Sequence, residues 1–342
     1  MWRVSSANEA SPALRMNIAI LGAGAWGTAL AIALSARHAV MLWARDPIQA
    51  RALEGSRCNA RYLPEVTLPE PVGITSSLDR ALGEAALAVV ATPTAGLRGT
   101  LTALRKAKFG LPAIWACKGF ERMNAHLPHE IAAEELGDTR CGALSGPSFA
   151  LEVARGQPTA LTFASRDIGF ARAMARELHQ PTLRVYFSTD LTGVEVGGAV
   201  KNVMAIATGI CDGLGLGLNA RAALITRGLA EITRLGVALG GRPETFMGLA
   251  GAGDLILTCT GDLSRNRRVG LLLAQNQRIE DVLLHLGHVA EGVFSAQEVQ
   301  RIADSRGIEM PITRAVCDVL YRAVPAREAV HSLLARDPKE ET

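Results

Sequence analysis

Residues 17–30 read NIAILGAGAWGTAL, an apolar run that enters Gly22, Gly24 and Gly27 and continues into a helix-forming stretch. Few local patterns restrict a fold this strongly. Gly22 permits a tight turn, Gly24 lets a pyrophosphate approach bare backbone, and Gly27 lets the following helix pack closely on the strand. The helix then opens with free N–H groups and the positive end of its dipole, both suited to phosphate. In a chain with 34 glycines the spacing alone is weak. Its place between a strand and a helix is what turns it into a dinucleotide signal. Two other clusters fail that test. Gly213-Leu-Gly-Leu-Gly217 and Gly251-Ala-Gly253 follow helix-like sequence and read as tight loops or close-packing contacts, with Asn219 placed as the cap of the next helix.

The alternation that begins there continues through the first half. Strands are expected at 17–21, 39–44, 86–91, 113–116, 141–144, 159–164 and 183–187, with helices such as 25–36 and 47–54 between them. That order predicts a mostly parallel, doubly wound α/β sheet with helices on both faces, the later strands forming a mixed extension. After residue 190 strand signals nearly vanish, and 192–211, 220–239, 265–276, 295–306 and 312–322 read as helices. The organisation expected is a disordered extension over 1–15, a dinucleotide-binding domain over 16–190 and an all-helical substrate domain over 191–342. A cleft between two such domains is where small-molecule sites collect.

Several classes are disfavoured. The net charge is only +3, so bulk charge gives no reason to expect nucleic acid binding. No run of about 18 uninterrupted apolar residues marks a membrane span. The six cysteines at 58, 117, 141, 211, 259 and 317 make no C-x-x-C pair and read as reduced thiols of a cytoplasmic protein. His126-Leu-Pro-His129 reads as surface structure rather than a metal site, and no metal is expected.

Chemistry is carried by a few charged residues in apolar or small-residue surroundings. Lys201 lies within VEVGGAVKNVMAIA, a helical run apolar on nearly every side, so it is expected to be partly buried with a task or a partner. Desolvation, and a second cation such as Lys118 of ACKGF, would lower its pKa toward the range a base or acid needs at neutral pH. A snorkelling side chain, or a pair with Glu195, is the bland alternative. Asp254 is a lone carboxylate that could orient a lysine or a substrate hydroxyl, or cap a helix. Ser264-Arg265-Asn266 offers a charged fork and two neutral hydrogen-bonding groups to a phosphate, while the cluster Arg265, Arg267 and Arg268 equally reads as a solvated helix face. At the end of the second strand, Asp46-Pro47 reads as cap and first helical residue. Arg45 is then the contact for the ribose end, and its fork suits a 2′-phosphate, favouring NADP over NAD. A solvated Arg at a strand end stays open there.

These stretches together resemble the bacterial NAD(P)-dependent sn-glycerol-3-phosphate dehydrogenases. The match runs through GAGAWGTALA, NARYLP, CKGFE, SGPSFA, GGAVKNVMAIATGICDGLGLGLNARAALITRGLAE, GLAGAGDLILTC, SRNRRVG and VAEGV, in order from residue 22 to 293. The resemblance implies a Rossmann-type domain followed by an all-helical one, and reversible hydride transfer between glycerol 3-phosphate and dihydroxyacetone phosphate that feeds glycerophospholipid synthesis. It implies Lys201 as the proton acceptor in oxidation and Lys118 at both cofactor and substrate. It places Gly146, Ser148, Asp254, Ser264, Arg265 and Asn266 at the substrate. It places Gly22, Gly24, Ala25, Trp26, Gly27, Ala150, Arg265, Val289 and Glu291 at the cofactor, with Tyr62 near it. Ala25 stands where many relatives carry Ser, and its backbone N–H can still serve. The partner implied is a phosphorylated small molecule, with homodimerisation left open. A β-hydroxyacid or 6-phosphogluconate type dehydrogenase, or a non-catalytic NADP-binding sensor, is the rival reading.

Overall fold

Strand β1 (Asn17–Leu21) is apolar at nearly every position because the sheet it enters is covered on both faces. The computed structural model describes residues 15–286, 290–337 and 340. The proposed extension at the N-terminus thus lies almost wholly outside the described residues, as does Val289. The other strands are β2 (Ala39–Trp43), β3 (Cys58–Asn59), β4 (Leu63–Thr67), β5 (Gly73–Thr75), β6 (Leu87–Val90), β7 (Ala113–Trp115), β8 (Cys141–Ser145), β9 (Thr159–Ala164) and β10 (Leu183–Ser188). Eight of them form one sheet in the order β10-β9-β8-β7-β6-β1-β2-β5. All neighbours are parallel except β8 and β9, so β9 and β10 are the mixed extension expected from sequence. Alternate residues serve opposite layers: Ile18 and Ile20 face one core, Ala19 and Leu21 the other.

The chain crosses from one half of the sheet to the other at β1, whose neighbours are β2 and β6. This is the point at which open α/β sheets leave a crevice beyond the carboxyl ends of their strands. The helix Ala25–Ser35 starts there. The segments that follow β6, β7 and β8 carry Thr92–Thr94, Lys118 and Gly146, and they form successive parts of the same rim.

From Leu191 onward the described chain is helical. The long helix Leu191–Gly213 is the axis around which the others pack, and its residues from Leu191 to Cys211, Thr192 excepted, are buried. By length and composition it could cross a membrane, but it runs inside the protein. Glu195, Lys201 and Asn202 interrupt its apolar run, which is why the sequence marked no membrane span there. Its first turns, Leu191 and Val194, join the core beneath the sheet, while Val196 to Ile210 form the centre of the helical part. The following helix is Gly217–Ala238, so Asn219 lies inside it and Leu216 stands at the cap, correcting the expected start.

Candidate functional site

The centre of the site is a carboxylate with two lysines on it. Asp254 opens the helix Asp254–Thr260, directly after a single π-helical turn at Leu249–Gly253, and is 1% exposed. Its Oδ1 accepts a hydrogen bond from Lys201 Nζ, and its Oδ2 accepts one of 2.6 Å from Lys118 Nζ. Lys201 also donates to Thr258 Oγ1 at 3.0 Å, and Lys118 to the Gly146 carbonyl at 3.2 Å. Thr258 is one helical turn from Asp254, so both reach the same amine. Burial, with Lys118 acting in the same direction, outweighs the attraction of Asp254 and pushes the Lys201 amine down to about 8. Lys201 therefore neither snorkels nor pairs with Glu195. The Glu195 carboxylate accepts instead from Trp115 Nε1 and lies against His129 Nδ1.

The glycine turn passes a direct fit test for a pyrophosphate. Gly22 has φ +122, and a Cβ there would stand 3.0 Å from the Ala91 carbonyl. A Cβ on Gly27 would fall 1.9 Å from the Gly22 carbonyl oxygen, whereas one on Gly24 would meet nothing within 4 Å. Two glycines are needed for the turn itself, and the third leaves bare backbone beside open space. Gly24 caps the helix Ala25–Ser35 without a side-chain bond, and the first turn has no acidic residue, so its N–H groups remain available. The carbonyl of Ala23 is held from behind by Gln49 Nε2 at 2.7 Å and Asn59 Nδ2 at 3.1 Å. Trp26 and Ala150 both pack against the cluster of Ala29, Leu63 and Val153, where the helix Ala150–Ala154 meets the helix Ala25–Ser35.

Two family models match the chain. The model described as NAD-dependent glycerol-3-phosphate dehydrogenase N-terminus covers residues 17–171, and the model of its C-terminus covers residues 190–331. The chain belongs to this family. Among curated relatives it is similar to glycerol-3-phosphate dehydrogenase [NAD(P)+] of Dechloromonas aromatica, 60% identical over 95% of this chain and 99% of that one. The corresponding protein of Nitrosospira multiformis is 57% identical over 95% and 99%. Among solved structures, glycerol-3-phosphate dehydrogenase from Coxiella burnetii superimposes with a TM-score of 0.91 at 40% identity, covering 94% of this chain and 99% of that one.

The family's other motifs are placed as follows. Arg45 is exposed at the carboxyl end of β2, and Asp46 caps the next helix by accepting from Ile48 N at 2.9 Å, as expected. Gly146 has φ +131, and its carbonyl accepts from both Lys118 and the Ser148 hydroxyl. Glu291 opens the helix Glu291–Ser305; burial raises its pKa, opposed by Lys118, Arg265 and Lys201. Tyr62 sits in the turn before β4, with Arg61 over its ring.

The three residues of Ser264-Arg265-Asn266 are placed differently. Ser264 caps the helix Arg265–Leu273 by accepting from Arg267 N, which leaves its own proton to donate. Arg265 is exposed. Asn266 is buried and engaged on both sides, donating to Asn202 Oδ1 and accepting from Gly292 N, each at 3.0 Å. Its amide has one hydrogen left, so much of its work is to join the two helices. The arginine run is not one solvated face: Arg267 is bound to Asp212 and Asp262, while Arg265 and Arg268 are exposed. His129 is buried against Glu195 and corrects the reading of that histidine as surface structure; His126 lies 3.5 Å from Glu121 and Glu134.

Sequence reasoning missed Thr258, Gln49 and Asn59. Thr258 carried a readable signal, being four residues after Asp254. Gln49 binds the turn across 26 residues and had none, while Asn59, 36 residues away, opens the quoted NARYLP stretch without its partner being readable.

Proposed function

We propose that the chain reduces dihydroxyacetone phosphate reversibly to sn-glycerol 3-phosphate, using NAD(P)H. The observation that carries this is the pair of amines on the buried carboxylate of Asp254, at the carboxyl edge of a sheet whose first turn fits a dinucleotide. Bound reduced nicotinamide supplies the hydride. In this reading Gly22, Gly24, Ala25, Trp26 and Gly27 hold the dinucleotide, together with Ala150, Val289 and Glu291, and Arg45 meets its ribose end. Gly146 and Ser148 line the substrate's path.

Lys201, as ammonium, donates to the carbonyl oxygen and delivers the proton that makes the alcohol. An amine near 8 holds that proton at neutral pH yet releases it readily, which suits one group to both directions. Lys118 adds a second positive charge to the same low-dielectric space. Asp254 orients both amines. Arg265 grips the remote phosphate and Ser264 donates to it, with the last amide hydrogen of Asn266 completing the set. Binding energy from that end orients the ketone.

The assay is oxidation of NADPH and of NADH on addition of dihydroxyacetone phosphate, with hydroxyacid-derived ketones and blank as controls. Turnover with the phosphorylated ketone alone is expected, and faster at limiting NADPH than NADH. Turnover with the controls but not the phosphorylated ketone would overturn the reading. Equal use of both cofactors, unchanged in Arg45→Ala, would remove Arg45 from cofactor choice.

A further inference from the structure

We propose that Glu195 is a positioning residue: through Trp115 it sets the register of the Lys201 helix against the strand that leads to Lys118. The inference rests on the roles given above to Lys118 and Lys201. Glu195 is buried in the helix Leu191–Gly213, and its Oε1 accepts from Trp115 Nε1 at 2.8 Å. Its Oε2 lies 2.5 Å from His129 Nδ1. Trp115 is the last residue of β7 and is fully buried.

The two segments meet again three residues further along each. Three residues beyond Trp115 is Lys118, and three beyond Glu195 is Gly198. The Lys118 stem lies on Gly198, its Cγ and Cδ 3.3 and 3.5 Å from where a Cβ on that glycine would stand. Three residues further along the helix is Lys201, whose amine meets that of Lys118 on Asp254. The bond between Trp115 and Glu195 is therefore the first contact of a matched series that ends at the two amines. A helix advances about 1.5 Å per residue, so slippage by a single residue exceeds the roughly 1 Å misplacement that can cost 10²-fold in rate.

Stability alone is a poor reason for this carboxylate. Burial pushes the Glu195 carboxyl above its usual range, and a buried polar group held by hydrogen bonds contributes little net stability beside apolar side chains of the same volume. A directional bond between two elements contributes alignment, which apolar packing specifies less sharply. None of the three side chains bonds to the amines or to Asp254 among the described residues, so Glu195 acts through the backbone of its helix.

The test uses the full chain and three variants: Trp115→Phe, Glu195→Leu and Glu195→Gln. Readouts are kcat, KM for each substrate, the thermal midpoint, and the primary deuterium isotope effect with NADPH labelled at the transferred hydrogen. Trp115→Phe removes the N–H together with part of the ring, a packing loss that the thermal midpoint reads; a fall in kcat shared with Glu195→Leu and absent in Glu195→Gln assigns the effect to the bond. Trp115→Phe is expected to lower kcat by about tenfold or more, to leave KM for NADPH within about twofold, and to raise the isotope effect as hydride transfer becomes limiting. Glu195→Gln keeps an acceptor for Trp115 and should retain most of the activity. The losses in Trp115→Phe and Glu195→Leu should not multiply when combined. If Trp115→Phe matches an active wild type in kcat and isotope effect, the positioning role is overturned and the proposed reaction stands. If the wild type does not turn over dihydroxyacetone phosphate, the proposed reaction itself fails.

Discussion

Lys201 shows how an environment assigns a role to a common side chain. In water its amine would hold a proton through the neutral range and serve poorly as a base; burial beside Lys118 brings it down to about 8. The sign of the resulting pH dependence differs with direction. Ketone reduction needs the ammonium, so its kcat/KM should hold below about 8 and fall above it. Alcohol oxidation needs the free amine, so its kcat/KM should rise through the same region. Paired pH profiles measure this, and parallel profiles would exclude Lys201 as the titrating group. Lys201→Ala should keep NADPH affinity, read by fluorescence titration, and lose at least the roughly 10²–10⁴-fold due to acid–base help. In the proposed reaction Arg265 meets the other end of the substrate. A charge-assisted bond contributes about 1.5–3 kcal/mol. Arg265→Ala should thus raise KM for the phosphorylated ketone roughly 10- to 150-fold while KM for NADPH changes far less. An unchanged KM would place the phosphate elsewhere.

At the level of elements, helix crossings decide where these residues meet. A Cβ on Gly270 would stand 2.1 Å from the Ile206 carbonyl oxygen, and one on Gly209 would stand 2.1 Å from that of Arg267. The helices Leu191–Gly213 and Arg265–Leu273 therefore touch backbone to backbone, which brings Asn266 onto Asn202. Gly270→Ala must push them apart. Overpacking of this kind costs about 1–3 kcal/mol, read as a lower denaturant midpoint, and it should raise KM for the phosphorylated ketone as well. Unchanged stability would mean that the crossing relaxes freely. Most elements were legible beforehand because their apolar periodicity is strong: β1, β2, β6 and β7 each fall within a residue or two of expectation. The hairpin of β3 and β4 and the edge strand β5 were not. β3 has two residues, β4 contains Pro64, and β5 begins with a glycine, so none carries the alternating pattern that marks a strand.

Across the whole molecule, the site draws its parts from both halves of the chain. Lys118 and Gly146 come from the sheet's rim, Lys201, Asp254 and Arg265 from the helices, and Asp254 joins the two sets. A ligand gripped by both halves stabilises the native chain. One-site binding at a hundred times its Kd adds about 2.7 kcal/mol, so NADPH should raise the thermal midpoint of the intact chain. No shift at saturation would argue against the cofactor. The sequence by itself determined the strand–glycine–helix unit, the parallel sheet and the identity of the charged groups. These rest on local properties: apolar periodicity, the freedom of glycine, and an ionisable residue inside an apolar run. Only the tertiary structure decided the partners. Asp254 turned out to hold two lysines, Glu195 to serve Trp115 and His129, and Asn266 to fasten two helices. Such pairings join residues tens of positions apart, and which of several donors and acceptors meet is set by how the helices cross, a property that no short window of sequence contains.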